Sequence, residues 1–469
     1  MSVESASAND MFRPPIVRSA AAVLDRTLFT RTFPIAAARI TDHKLISASR
    51  GKLDKSKELL RVDRVSAVRE DPDPALAAKG GKCLLLKPEV KPEDPTTWSA
   101  ILKQAVEAKE MSVMPYELTL DYNYWNYLDI MKSILPEDSQ EEIPVGFSIV
   151  GHVAHLNIRE AYLPFKNLIA EVLMDKNPTI RTLRPPRRRV ELDVEICEED
   201  CTFRFDYSQV YWNSRLNTEH RRLVALFDPG SVVCDVMAGA GPLALPAAKK
   251  GVFVWANDLN PASIAALRDA TSLNKVEPYI RAFNTDGHKF IHQCAQDLLA
   301  LHKAGENKVS IPSKQPRMSR SQKVRPDPIP PTTVEIPQTI SHFVMNLPAT
   351  ALTFLPAFRG LYAGHESLFA PHTGTKLPMV HVHCFSTKSE DNVKEGIEIS
   401  GIVSEMLGTR MEFEGAVEKV EGDPRKRKEA VGEVAEGKVR VHDVRDVAPL
   451  KRMFCASFRI PAEVAFAKV

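Results

Sequence analysis

The chain has 469 residues, 44% of them hydrophobic and 26% charged, which is the balance of a globular protein built from two or three domains. No apolar run approaches the roughly 18 residues that span a bilayer, so no membrane segment is expected. The formal net charge is only +2, so any nucleic-acid surface must come from local clusters of basic residues.

Residues 1 to about 95 read as a first small module. Arg13, Arg18, Arg26, Arg31 and Arg39 lie there among small and apolar residues, a composition that fits a mitochondrial transit peptide. Against that, Glu4 and Asp10 come first, and the stretch from Met11 reads as folded sequence. A second module is expected over 96–200, with a helical "TTWSAILKQAVEAKE", an aromatic "LTLDYNYWNYLDIMKSILP" and then "IPVGFSIVGHVAHLNIRE". Both modules are small α+β units ahead of a larger third block, 201–469.

In the third block strands and helices alternate. "RLNTEHRRLVALF" is a helical run carrying Glu219 and His220. "SVVCDVMAGAG" is a strand running into a glycine turn, and "PLALPAAKKG" a helix with a glycine stop. "VFVWANDLN" is a second strand, "PASIAALRDATSLNK" a helix opened by proline, and "IRAFNTDG" a third strand. "HFVMNLPA" is the fourth, after a long insertion. Such βα repeats imply an α/β, Rossmann-like domain with a parallel sheet. Residues 304–338, rich in Pro, Ser, Lys and Arg, and residues 414–447, dense in mixed charge, are expected to be disordered insertions.

Seven cysteines are scattered without a CxxC pair, and Cys197 and Cys201 lack a second pair to complete a zinc site. "HVHCF", His381 to Phe385, alternates like a buried strand. No metal is expected.

The glycine turn with Gly239 and Gly241 is not GxGxxG, so a dinucleotide is disfavoured. One βα unit later Asp258 ends the second strand, where a carboxylate accepts hydrogen bonds from ribose hydroxyls. Asp286 ends the third, within reach of an adenine amino group. Each acid alone reads equally as a cap or surface residue. The ordered trio describes a class I S-adenosylmethionine site. Asn346 and Pro348 end the fourth strand, where the methyl group would lie. Ala349 follows where exocyclic-amine methyltransferases commonly carry an aromatic, so a ring nitrogen is the expected target.

Arg215 and Glu219 are four apart, on one face if the run is helical, and read either as a surface ion pair or as a base with a supporting cation. Guanine N1 holds its proton about as tightly as a phenol, pKa about 10, against about 4.3 for a free glutamate. A base there needs burial to raise its pKa and a cation on guanine O6.

These residues resemble the archaeal and eukaryotic tRNA guanine-37 N1-methyltransferases, in a fungal form. "MFRPP" with "LDRTLF", "GFSIVGHVAHLNIRE", "YWNSRLNTEH", "DVMAGAGP", "ANDLNP" and "MNLPA" carry the likeness in the family's order, over nearly the whole chain. The resemblance implies methyl transfer from S-adenosylmethionine to N1 of guanine 37 of tRNA, supporting reading-frame maintenance. It implies Glu219 as general base, Arg181 holding guanine O6, and Arg215 and Asn346 supporting the guanosine or reaction centre. His220, Asp258, Leu259, Asp286, Gly287 and Asn346 would line the donor site. It implies a monomer in cytoplasm and nucleus with a mitochondrial pool. The chain departs after "TIRTL", where Arg184, Arg187, Arg188 and Arg189 cluster around two prolines. That cluster is either a phosphate contact or a solvated loop. Two rivals stay open: the wybutosine-pathway aminocarboxypropyl transferase of the same fold, and a non-catalytic tRNA-binding protein.

Overall fold

The computed structural model describes residues 12–18, 23–156, 158–180, 192–313, 329–415, 418–419 and 434–468. They belong to two compact units, Met1–Val190 and Glu191–Val469.

The first unit is built on a four-stranded antiparallel sheet of β1 (Arg31–Ile40), β2 (Val68–Glu70), β3 (Lys82–Leu85) and β4 (Met111–Leu120), in the order β2-β3-β1-β4. β1 is buried on both faces. Phe33, Ile35 and Ala37 join one core with α2 (Tyr127–Ile134) and α3 (Lys166–Lys176), while Ala36, Ala38 and Ile40 join another with α1 (Ala100–Glu107). The alanines let helices approach the strand from both sides over Ile35–Ile40, while Arg31, Thr32 and Pro34 at its start stay exposed. β4 pairs with β1 along all of its length, so the boundary placed near residue 95 from composition falls inside this unit. Pairing between distant strands leaves no mark in composition. The N-terminal arginines are tied into the fold: Arg26 bridges Glu171 and Asp175, Arg39 forks onto Asp71, and Arg18 donates to the carbonyls of Lys132 and Ser133.

The second unit opens with the hairpin β5 (Asp193–Glu198) and β6 (Cys201–Asp206), followed by α4 (Asn217–Leu226). Its large sheet contains β7 (Val232–Asp235), β8 (Phe253–Asn257), β9 (Ile280–Phe283), β10 (His342–Met345), β11 (Met379–Ser386), β12 (Lys438–Ala448) and β13 (Lys451–Arg459), in the order β9-β8-β7-β10-β11-β13-β12. The first five run parallel, and β13 lies antiparallel between β11 and β12. The two short strands Glu412–Phe413 and Glu418–Lys419 pair with β12. The chain moves outward from β7 to β9 and then returns to β10 on the other side of β7. In open α/β sheets such a reversal is where ligands bind, beyond the carboxyl ends of the strands.

Strand residues alternate between two buried faces. Val232, Cys234, Trp255, Phe343, Val380, Val382 and Phe454 pack with Phe290, Cys294 and Leu298 of α6 (Gly287–Ala304) and with Ile399 and Val403 of α7 (Val393–Leu407). The other face carries His381, His383, Cys455 and Ser457, and α4 meets it. Between these helices, α5 (Pro261–Leu273) starts on its expected proline behind an Asn260 cap.

Both stretches expected to be disordered are partly ordered. Lys308–Ile311 and Thr332–Glu335 form an antiparallel pair, and β12 occupies 438–448. In β12 the alternation of Val439 and Val441 with polar residues finds a partner in β13, which its charge density had masked. Residues 314–328 of the first stretch lie outside the described residues, as do 416–417 and 420–433 of the second.

Candidate functional site

The ends of β7, β8, β9 and β10 bring the sequence motifs together. The glycine turn after β7 folds so that Gly239 N–H donates to Asp258 Oδ2 at 2.8 Å, and the other oxygen of Asp258 accepts from Asn260 N at 2.8 Å. Gly239 (φ +57°) and Gly241 (φ +90°) are left-handed, and a Cβ on Gly241 would lie 2.5 Å from Leu267 Cδ1. Here glycine is required by both backbone and packing.

Asn257 stitches three strand ends together and was not singled out from sequence. Its Nδ2 donates to Val236 O (3.1 Å) and Thr285 O (3.0 Å), while Oδ1 accepts from Thr285 N (2.9 Å). Asp286 caps α6 by accepting from His288 N and Lys289 N, and half of its side chain stays accessible. Gly287 follows, where an added Cβ would stand 2.9 Å from Phe354 Cε1. Leu259 is exposed. Asp235 is buried, and burial together with the nearby Asp258 pushes its carboxyl up to about 7.

Among the buried polar atoms of the described residues without a hydrogen-bond partner are His220 Nδ1 and Asn346 Oδ1. Unsatisfied buried acceptors and donors are costly, so such atoms mark a place where a ligand completes the structure. Burial holds His220 down at about 4, so its ring is neutral. A left-handed glycine turn, a ribose-height acid, a second acid at a helix cap and orphaned polar atoms are the groups a nucleoside sulfonium donor needs. The residues fit S-adenosylmethionine.

Glu219 sits in the first turn of α4 and is 3% exposed. Its partner is Arg222, whose Nε and Nη2 donate to Oε2 at 2.7 Å and Oε1 at 2.8 Å; His383 Nε2 lies 2.8 Å from Oε1. Arg215 makes no such pair. It stands in a short 3-10 turn, Ser214–Leu216, and its side chain is exposed. The change of helix type at Asn217 rotates it away from the face that the i,i+4 count assigned. Burial alone would raise the Glu219 pKa, as expected from sequence, but Arg222 and His383 outweigh it and hold the carboxyl well below its usual range. For His383, burial opposes the charge while Cys455 and Glu219 favour it, leaving it raised to about 10.

Glu219, His383 and Cys455 place donor atoms within 4.8 Å of one another. The Arg222 guanidinium already occupies both oxygens of the carboxylate, so this cluster is an ion-pair network rather than a cation site. Arg222 and His383 were not singled out from sequence. The alternation of "HVHCF" gave the face of β11, but nothing in it identifies a partner 164 residues away. Arg181 and the Arg184, Arg187, Arg188 and Arg189 cluster lie outside the described residues.

Known proteins resemble the chain throughout. The TRM5/TYW2 methyltransferase domain family matches residues 195–311, and the TYW2 N-terminal domain family matches residues 127–191. A tRNA (guanine(37)-N(1))-methyltransferase of Neurospora crassa is 52% identical over 98% of this chain and 95% of its own length. The enzyme of that name from Schizosaccharomyces pombe is 38% identical over 95% of each chain. Among solved structures, Trm5b from Pyrococcus abyssi shares the fold with a TM-score of 0.52 at 16% identity, covering 91% of this chain and 99% of that one.

Proposed function

The chain belongs to the tRNA (guanine(37)-N(1))-methyltransferase family, and from that premise we propose that it transfers a methyl group from S-adenosylmethionine to N1 of guanine 37 in tRNA. The observation that carries this reading is the gathering of the glycine turn, Asp258, Asp286 and Asn346 at the reversal of strand order. When bound, the donor supplies an electrophilic methyl group on a positively charged sulfur. Asp258 accepts from its ribose, the Gly239–Gly241 turn admits close backbone approach, and Asn346 and His220 offer their orphaned atoms to the ligands. A flipped-out guanine presents its Watson–Crick edge, where N1 must lose a proton. Glu219 is the base. Arg181 stabilises the charge on O6, and Arg215 meets the guanosine or its phosphate from the exposed side.

The first unit, with the arginine cluster at 184–189, reads tRNA shape and phosphates. For the whole chain the reading is a monomer in cytoplasm and nucleus with a mitochondrial pool. The arginine-containing start is the support for the mitochondrial pool, against which stand Glu4, Asp10 and the arginines held in the fold; light scattering and cell fractionation test the reading.

The deciding experiment is product identification. The protein is incubated with labelled donor and unmodified tRNA bearing guanine or adenine at position 37, and the tRNA is digested to nucleosides. Only 1-methylguanosine is expected, and only from the guanine substrate. The wybutosine-pathway rival of the same fold makes an aminocarboxypropyl adduct the product to watch for. That adduct, or N2-methylguanosine, would overturn the reading.

A further inference from the structure

Glu219 carries a difficulty as a base. Arg222 donates to both oxygens and His383 Nε2 faces Oε1 at 2.8 Å, so the carboxylate lies between two cationic groups with 3% of its surface exposed. A proton from guanine N1, whose pKa is about 10 by analogy with a phenol, has no stable resting place on such an acid. The neighbouring ring offers one. His383 Nδ1 lies 3.3 Å from Met345 O. Met345 O and the Glu219 carboxylate both only accept, so the ring as placed suits a hydrogen on each nitrogen, and a neutral ring can receive a proton at Nε2 in the tautomer that keeps its hydrogen on Nδ1.

We infer that His383 is the positioning residue that stores the guanine proton, received through Glu219 Oε1 at Nε2. This rests on Glu219 being the base. The N1–H bond breaks and its electron pair becomes the N1–methyl bond. The methyl–sulfur bond of the donor breaks with its pair remaining on sulfur. The proton passes to Oε1 and on to Nε2, so Glu219 leaves the step as a carboxylate and His383 as an imidazolium. Charge is conserved, because a neutral ring becomes positive as the sulfonium becomes neutral. The product charge state is the one in which both ring nitrogens face acceptors, as they do in this structure.

The groups facing His383 set how firmly it keeps the proton. From α4 these are Glu219, Arg222 and His220; from β13, Cys455; from β7, Asp235; and on its own strand, His381. Glu219 and Cys455 favour the imidazolium and outweigh burial, so the ring's affinity, about 10, matches that of guanine N1. The neutral, receptive ring is then the minor form at neutral pH. Its fraction rises about tenfold per pH unit up to the His383 pKa, and the single-turnover rate rises with it.

The test is the pH profile of single-turnover methylation of guanine-37 tRNA for the intact wild-type protein, His383→Gln and Glu219→Gln. The glutamine in His383→Gln still donates to Glu219 but cannot store a proton. Its rate is expected to fall about 10²-fold or more, and its log rate to flatten from a slope near one to near zero, with donor affinity by calorimetry unchanged. A purely structural histidine would lower the rate and leave the slope. A retained slope, or a rate within about twofold of wild type, overturns the inference. If it is retained while Glu219→Gln is inactive, only the storage role falls. If Glu219→Gln works at wild-type speed, the base assignment itself falls. Should His383→Gln fail to fold, ¹⁵N-histidine NMR of the wild-type protein decides. Nδ1 keeping its hydrogen while Nε2 titrates supports the relay, and an Nε2–H neutral tautomer overturns it.

Discussion

Arg222 and Glu219 stand one turn apart on α4, and both are almost withdrawn from solvent. Removing one partner strands the other, which is a larger loss than the net worth of the pair. Arg222→Ala is therefore expected to destabilise the second unit by about 3–5 kcal/mol, read as a shift in its denaturant transition. The double variant Arg222→Met with Glu219→Gln should recover much of that loss, because no lone charge remains. Stability also depends on pH in two directions. His383 is raised from 6.5 to about 10, so its contribution is fully present below 6.5 and is lost as pH rises through about 10. Glu219 is depressed below 4.5, so its contribution is present above 4.5 and is lost as pH falls towards the folded value. The melting-temperature gap between wild type and His383→Gln should thus be widest between 4.5 and 6.5 and should close towards about 10. Glu219 was legible in the sequence because it precedes the glycine turn within a family motif. Arg222 and His383 were not, since the ion pair is chosen by which face of α4 turns inward and by which strand lies opposite.

The glycine turn between β7 and the following helix shows an element set by two separate demands. Gly239 and Gly241 are both left-handed, yet a Cβ on Gly239 meets open space while one on Gly241 meets Leu267 and Leu245. Gly239→Ala should cost about 1–2 kcal/mol for backbone conformation alone. Gly241→Ala should cost about 1–3 kcal/mol more from overpacking and should weaken donor binding; thermal melts and calorimetry on the two variants check the order. Equal effects would mean that Leu267 and Leu245 move aside freely. The strands β7 to β10 were legible because each is a short apolar run closed by a turn or an acid, and the proline and asparagine opening α5 were plain. β4 and β12 were not placed in their sheets. "MSVMPYELTL" lacks clean alternation because β4 is buried unevenly, and β12 hides Val439 and Val441 among charges.

On the scale of the whole molecule, the division after residue 190 predicts where the chain can be cut. A fragment of residues 191–469 keeps the large sheet and its core and should bind the donor with the affinity of the full chain. It should bind tRNA more weakly and with a shallower negative salt slope, because phosphate contacts, and the counterions they release, go with the missing residues. Loss of donor binding in calorimetry would contradict this division of labour. A cut at 95 would instead part β4 from β1 and should yield insoluble protein, since a long edge would be uncovered. The order of strands has one more consequence, which concerns synthesis. β13 follows β11 and β12 in the chain, yet it lies between them and carries Cys455 to the buried ion-pair network. Until Lys451–Arg459 leaves the ribosome, β11 and β12 each present a bare edge, which is an aggregation hazard during synthesis. A shift of frame anywhere upstream in its own message would erase that strand. Such a copy would leave β11 and β12 unpaired on their facing edges and Glu219 and His383 without Cys455.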